Sequence, residues 1–190
     1  MKKKKDSKRM QNLMMGFIAF ILVTSVMGFL WKGGPPKVEY NGIPFVQEAD
    51  GWSTKINGKH AVFNYHPTEV EHIDLNSEIA QRLSAVEIDI TYDIDDDYAE
   101  YIAKVQYTLA QGLSNFDMFV VAGFTTENEF NRPIVTCDDA TMYVPVLYFK
   151  KSNETKVYME GNCIIAEAYR GEDVIKIKDR LLYAILGIIK

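Results

Sequence analysis

From Leu13 to Trp31 the chain carries no ionisable side chain, and just ahead of this run Lys2, Lys3, Lys4, Lys5, Lys8 and Arg9 stand against the single acid Asp6. A helix rising ~1.5 Å per residue makes the run roughly 28 Å long, close to the ~30 Å hydrocarbon core of a bilayer. The run reads as one membrane-spanning helix, in contact with the lipid bilayer through Leu13–Trp31. The cationic block orients it by the positive-inside rule: residues 1–12 form a cytoplasmic tail, and everything beyond Trp31 lies outside. A cleaved secretory signal begins in the same way, but its apolar core is ~7 to 15 residues long and ends at small residues. Here the nearest approach to a cleavage site, Val26-Met27-Gly28, falls inside the apolar run. The expectation is an uncleaved, single-pass signal anchor in the cell membrane, with Trp31 and Lys32 at the outer interface.

Separating this segment from the rest changes the meaning of the charge. The whole chain is at -5, but residues 33–190 hold 14 Lys and Arg against 25 Asp and Glu, a net charge near -11. A domain so acidic repels phosphate backbones and anionic lipid, so nucleic acid is not an expected partner. Residues 32–37, with Gly33-Gly34-Pro35-Pro36, form a short spacer in which the glycines release the helix and the prolines force extended backbone. Residues 38–190 are then one extracytoplasmic domain of ordinary size.

Asn41-Gly42 and Asn57-Gly58 are placed as type I' hairpin turns, which predicts a β-rich start. Ala61, Phe63 and Tyr65 alternate with polar neighbours in a half-buried strand. His66-Pro67-Thr68-Glu69 opens a helix, interrupted near Asp74–Ser77, that runs to about Ser84. Val86, Ile88, Ile90 and Tyr92 mark a second strand. Asp95–Asp97 cap a helix with the stripe Tyr98, Ile102, Val105, Leu109 and Leu113, ended by Gly112 as a left-handed cap. Phe116–Phe124 is apolar throughout, as in a central strand covered on both faces. Val144–Phe149 and Lys156–Met159, joined by Lys151-Ser152-Asn153-Glu154-Thr155, read as a hairpin, and Glu172–Ile189 as a last helix. The fold expected is α/β or α+β, with a mixed β-sheet, hairpins and about three helices.

Strand, helix, strand, hairpin and helix over residues 86–188, with Pro145 heading a hairpin strand, resembles thioredoxin-like domains. In that family a CxxC opens the first helix, where this chain has Asp95-Asp96-Asp97-Tyr98. The resemblance implies the fold without the oxidoreductase chemistry.

Cys137 and Cys163, both outside the membrane, read as a structural disulfide, with two buried free thiols or a redox-active pair as alternatives. The bridge would close a loop of about 25 residues and stabilise by roughly 3 to 4 kcal/mol on chain-entropy grounds. Asp93 to Asp97 has carboxylates at alternate positions, as a calcium loop does. Tyr98 stands where the turn glycine is needed and Lys104 where the bidentate glutamate is needed, so capping explains the run better. His60 and His66, six strand residues apart, are separated by roughly 20 Å, too far to share a zinc ion, and His72 stands on a polar face. No metal ligand, cofactor-binding residue or catalytic residue is assigned. Asn153-Glu154-Thr155 is an acceptor sequon for N-glycosylation at an exposed tip. Leu181–Ile189 is too short to span a bilayer and is expected in the domain core, with a membrane-surface contact, or a protein partner or second copy bound through this C-terminal helix, as the alternatives. Together these features point to binding or assembly; the rival class is an extracytoplasmic enzyme, such as a degenerate thioredoxin-like protein.

Overall fold

The computed structural model describes residues 3–30 and 36–189. The interfacial pair Trp31 and Lys32, and the spacer through Pro35, lie outside the described residues. The chain divides into an N-terminal unit and a unit beginning at Lys37. The first is one helix, α1 (Lys3–Leu30). It runs on into the basic block instead of starting at Leu13, because Lys, Arg, Gln and Met are all good helix formers. Its window Met10–Met27 is apolar enough to cross a membrane and buries none of itself. The Thr24 hydroxyl donates to the Phe20 carbonyl at 2.9 Å, so this polar group is satisfied within the helix.

The second unit begins with an antiparallel meander, β1 (Lys37–Tyr40), β2 (Ile43–Glu48), β3 (Gly51–Ile56) and β4 (Lys59–Phe63), in sheet order β1-β2-β3-β4. Asn41 and Gly42 (φ 50° and 77°) and Asn57 and Gly58 (φ 52° and 79°) make the two expected turns. The middle turn depends on Gly51, at φ 149°, where a Cβ would lie 2.1 Å from the Phe63 carbonyl oxygen. Phe45, Ala61 and Phe63 face the core, while Lys37, Glu39, Lys55 and His60 stay exposed on the outer face.

Two short helices follow, α2 (Pro67–Val70) and α3 (Ser77–Arg82), separated where the interruption was expected. Next come β5 (Glu87–Tyr92), α4 (Ala99–Ser114), β6 (Phe119–Ala122), β7 (Val146–Lys151), β8 (Lys156–Glu160), β9 (Cys163–Ala168) and α5 (Gly171–Ile185). The strands form a mixed sheet in the order β6-β5-β7-β9-β8, with β6, β5, β7 and β9 parallel and β8 antiparallel on the far edge. Ile88, Ile90, Leu147, Phe149, Ile164 and Ala166 point to one face and share the main core with Ile102, Val105 and Leu109 of α4 and Val174, Ile177 and Leu181 of α5.

Several expectations need correction. Phe116–Phe124 is not a central strand: β6 lies at an edge, with Phe119 66% exposed. The crossover through α4 places it outside β5, and β7 takes the other side of β5. Val144–Phe149 and Lys156–Met159 are not paired, because β9 sits between them and pairs with both. The hairpin is instead β8–β9. The arm headed by Pro145 runs parallel to β5 and β9, so the topology does not bear the thioredoxin-like resemblance. Gly112 lies inside α4, which continues to Ser114, and Asp117 takes the left-handed conformation (φ 60°). Asp95–Asp97 do not cap α4 directly: its first residue is Ala99, and the side chain of Tyr98 at the cap makes no capping bond, its hydroxyl donating instead to the Tyr169 carbonyl at 2.7 Å. Finally α5 stops at Ile185; after Gly187 (φ 68°) the chain turns back, and the Ile188 amide donates to the Tyr183 carbonyl at 2.8 Å. Leu181, Leu182, Ile188 and Ile189 are buried in the domain itself.

Helix α5 also carries three buried charged residues in a row. Asp179 is fully buried and accepts the backbone amides of Asn64 and Tyr65 at 2.8 Å each. Lys178 Nζ lies 2.5 Å from the other carboxylate oxygen and donates to Asn64 Oδ1 at 2.8 Å. Arg180 Nε donates to the Ile73 carbonyl at 2.9 Å. Tyr183 stacks on Phe63 with centroids 4.1 Å apart and donates to the Tyr65 carbonyl at 2.7 Å. These bonds tie the meander and its exit loop to the last helix.

Candidate functional site

Helices α4 and α5 cover one face of the larger sheet; the other is crossed by the long connection from Gly123 to Pro145. Just past the end of β6 this strap pairs with the chain it leaves, where Phe124 and Ile134 form a parallel bridge. Gly123 makes the close passage possible, since a Cβ there would come within 2.7 Å of both the Pro133 carbonyl oxygen and the Val135 side chain. The buried Thr91 hydroxyl then donates to the Val135 carbonyl at 2.7 Å. Beyond it Cys137 is bonded to Cys163 at the start of β9, with Cα atoms 5.2 Å apart. Val135, Val146, Cys163 and Ile165 make a second, smaller core beneath the strap. On the sheet, Cys163 is paired in register with Val146 on β7 and Glu160 on β8.

Above the disulfide, the strand register builds two rows across β7, β9 and β8: Tyr148, Ile165 and Tyr158 in one, Lys150, Glu167 and Lys156 in the next. Glu167 is almost buried and collects Lys150 Nζ at 3.0 Å, Lys156 Nζ at 3.3 Å, Ser152 Oγ at 3.1 Å and Tyr158 OH at 3.1 Å. Burial by itself would raise the carboxyl pKa, but hydrogen bonds from these four groups outweigh it and hold the value at about 2. Lys156 is further paired with Glu154. Both Glu167 oxygens are thus engaged, and the arrangement fastens the edge strand β8 to β9 and β7.

At the carboxyl ends of the strands, the acidic run is likewise engaged. Asp93 Oδ1 accepts the Asp95 amide at 3.0 Å, and Asp96 accepts the Tyr98 amide at 2.7 Å and the Lys151 amide at 2.8 Å. Asp97 pairs with Lys151. The cluster joins the loop after β5 to the end of β7. Lower on the open face, Asp89 keeps a buried Oδ1 without a hydrogen-bond partner. Burial, with smaller contributions from Glu87 and Asp139, raises its pKa above the usual carboxylate range.

The histidines are dispersed. His60 is exposed on the outer face of the meander, and His72 is exposed after α2. His66 is buried at the start of α2, its amide bonded to Glu69 at 2.7 Å and its ring against Trp52 at 4.6 Å. Burial pushes its imidazole below the ordinary histidine value, against the raising influence of Glu69 and Glu71. Among the described residues no three His, Cys, Asp or Glu side chains converge as metal ligands. Asn153 is exposed in the turn between β7 and β8, and the sequon Thr155 hydroxyl donates to Asp173 at 2.9 Å. Sequence reasoning missed the Lys178-Asp179-Arg180 clamp. Its signal was available: three charges in a helix flanked by Ile175, Ile177, Leu181 and Leu182 have little room for a solvated face.

Compared with protein-family models, curated proteins and solved structures, the chain matches none.

Proposed function

We propose that this chain is a single-pass signal-anchor protein of the cell membrane, holding one extracytoplasmic domain that works by binding or assembly. The observation that carries the reading is α1, whose apolar window Met10–Met27 is exposed along its whole length and needs a non-aqueous surrounding. The lysine-rich start supports an inward amino terminus. Support for binding over chemistry comes from the polar clusters: the carboxylates of Glu167, Asp96 and Asp179 each hold strands, loops or helices together through several donors. In a glycosylating host, Asn153 is the proposed acceptor, on an exposed turn.

Protease added to intact cells or spheroplasts should digest the domain from outside, and carbonate extraction should leave the chain with the membrane. Protection of the domain in intact cells would overturn the orientation, and a mature chain beginning after Gly28 would overturn the anchor.

A further inference from the structure

Where the meander meets α2, the side chain of His66 forms a plug. The residue is 6% exposed, and its ring stands against one side chain from each of three strands. Centroid distances are 4.6 Å to Trp52 of β3, 5.4 Å to Phe45 of β2 and 6.1 Å to Tyr40 of β1. The backbone of His66 meanwhile opens α2, so one residue joins the start of the helix to the core face of the meander. Nδ1 accepts the Thr68 amide at 3.5 Å and lies 2.9 Å from the Thr68 hydroxyl, which assigns the lone pair to Nδ1 and the ring proton to Nε2. Nε2 is buried and has no hydrogen-bond partner.

Other fastenings of the meander gather around the same point. Phe63 stacks on Tyr183, the Asn64 and Tyr65 amides reach Asp179, and the Tyr40 hydroxyl donates to Glu71 at 2.7 Å. A second proton on the ring must go to Nδ1. That ends its service as acceptor at the start of α2 and places a positive charge among three aromatic rings, with Nε2–H still unpaired. Glu69 and Glu71 favour the charged ring, but burial outweighs them and holds the imidazole below its ordinary value. From α5, Lys178 and Arg180 against Asp179 leave the seam positive on balance, and the hydroxyl of Tyr183 is already donated to the Tyr65 carbonyl. β2 and β3 present the uncharged rings of Phe45 and Trp52.

We infer that His66 is an acid-operated latch: the neutral ring locks the meander to α2, and the charged ring withdraws to water and loosens the meander from α2 and α5. The latch lies wholly within the domain and operates whether or not α1 spans a membrane. Since the folded value lies below the unfolded 6.5, the stability contributed by the neutral ring is complete above about pH 6.5 and is lost as pH falls through the folded value. Asp179 titrates in the opposite sense. Burial raises its carboxyl, so its protonation favours the folded state, and this contribution is common to wild type and a His66 variant.

The test is hydrogen exchange of the full-length chain in detergent micelles, from about pH 7.5 to about pH 5, corrected for the intrinsic pH dependence of exchange. Opening of residues 37–66 should increase below about pH 6.5, by at most about tenfold per pH unit, the limit for one proton, while β7, β9 and α4 keep their protection. His66→Asn retains a capping acceptor without a titrating ring and should abolish this dependence. In the wild-type chain, the His66 imidazole followed by NMR should titrate over the same interval as the opening, a measurement that stands even if the variant fails to fold. Protection of residues 37–66 unchanged to pH 5, an acid response retained in a folded His66→Asn, exchange rising uniformly across the domain, or a His66 titration separate from the opening would each overturn the inference.

Discussion

Asp179 and Tyr65 stand 114 residues apart in the chain, yet the Asp179 carboxylate accepts the Tyr65 amide at 2.8 Å in the interior of the domain. The same oxygen takes the Asn64 amide, and Lys178 stands against the other. One carboxylate thereby ends β4, fixes the entry to α2 and holds α5 in place. Its position explains how a meander with little helix cover of its own becomes part of a single core. Asp179→Ala should destabilise the domain by about 3 to 5 kcal/mol, because two backbone amides would be left buried without an acceptor and the buried Lys178 charge, still bonded to Asn64, would lose its counter-charge. Asp179→Asn should cost less, since one amide oxygen can still accept. Denaturant midpoints of the two variants measure the difference, and an equal, small shift in both would contradict the clamp.

Glu167 makes a pH prediction with a definite sign. Its folded pKa of about 2 lies below the ordinary 4.5, so its contribution is present above the unfolded value and is lost as pH falls through the folded one. Wild type should lose stability between about pH 4.5 and pH 2 more steeply than Glu167→Gln. The variant should be the less stable of the two at pH 7, with the gap closing in acid. Tm measured across that range is the readout.

Asp89 should behave in the opposite way. Its carboxyl is raised by burial, so the ionised form is a liability in the folded state wherever pH exceeds the folded pKa. Asp89→Asn is therefore expected to raise Tm at pH 7, by about 2 to 4 °C if the gain is near 1 kcal/mol. That gain should fade as the solution is acidified toward the ordinary carboxylate value. A variant less stable than wild type at neutral pH would show that Asp89 has an acceptor role on the open face.

The strap predicts what loss of its cystine would do. Cys137 and Cys163 should be recovered as one linked peptide from unreduced protein, and replacing both by Ser should cost roughly 3 to 4 kcal/mol. Because the bond pins the strap over Val146 and Ile165, hydrogen exchange should rise locally in residues 135–146 before it rises in α4 or α5. Uniform acceleration across the domain would argue that the strap and sheet open together.

What was readable in the sequence was what short-range chemistry decides. The Asn-Gly turns, the alternation from Val86 to Tyr92 and the apolar stripe of α4 all stand where local pattern put them. Errors arose where the deciding partner was remote. Phe116–Phe124 looked central because every position is apolar, but nothing local distinguishes a strand covered on both faces from an edge strand with an exposed apolar face. Likewise, five polar residues between β7 and β8 read as a hairpin turn, and the insertion of β9 between these strands depends on parallel pairing of Val146–Lys151 with Cys163–Ala168. The candidate site suffered for the same reason. Glu167, Lys150 and Lys156 lie on three strands, and the correct register is needed before they meet.

Gly51 offers the cleanest separation of backbone strain from steric exclusion. Gly42 and Gly51 both lie at positive φ, 77° and 149°, and both sit in turns of the same meander. A Cβ at Gly42 has no neighbour within 4 Å, so Gly42→Ala meets backbone strain alone and should cost about 1 kcal/mol. At Gly51 the added carbon would lie 2.1 Å from the Phe63 carbonyl oxygen, a backbone atom in the adjoining strand that cannot rotate aside. The β3–β4 ladder would have to part near Trp52 and Phe63, which are paired in register, and Phe63 carries the stacking on Tyr183. Gly51→Ala should therefore cost about 3 kcal/mol or more, adding overpacking to strain. Urea unfolding of the two variants side by side gives the comparison. Equal losses would mean that the turn relaxes without disturbing β4, and the close approach at Gly51 would then have no structural consequence.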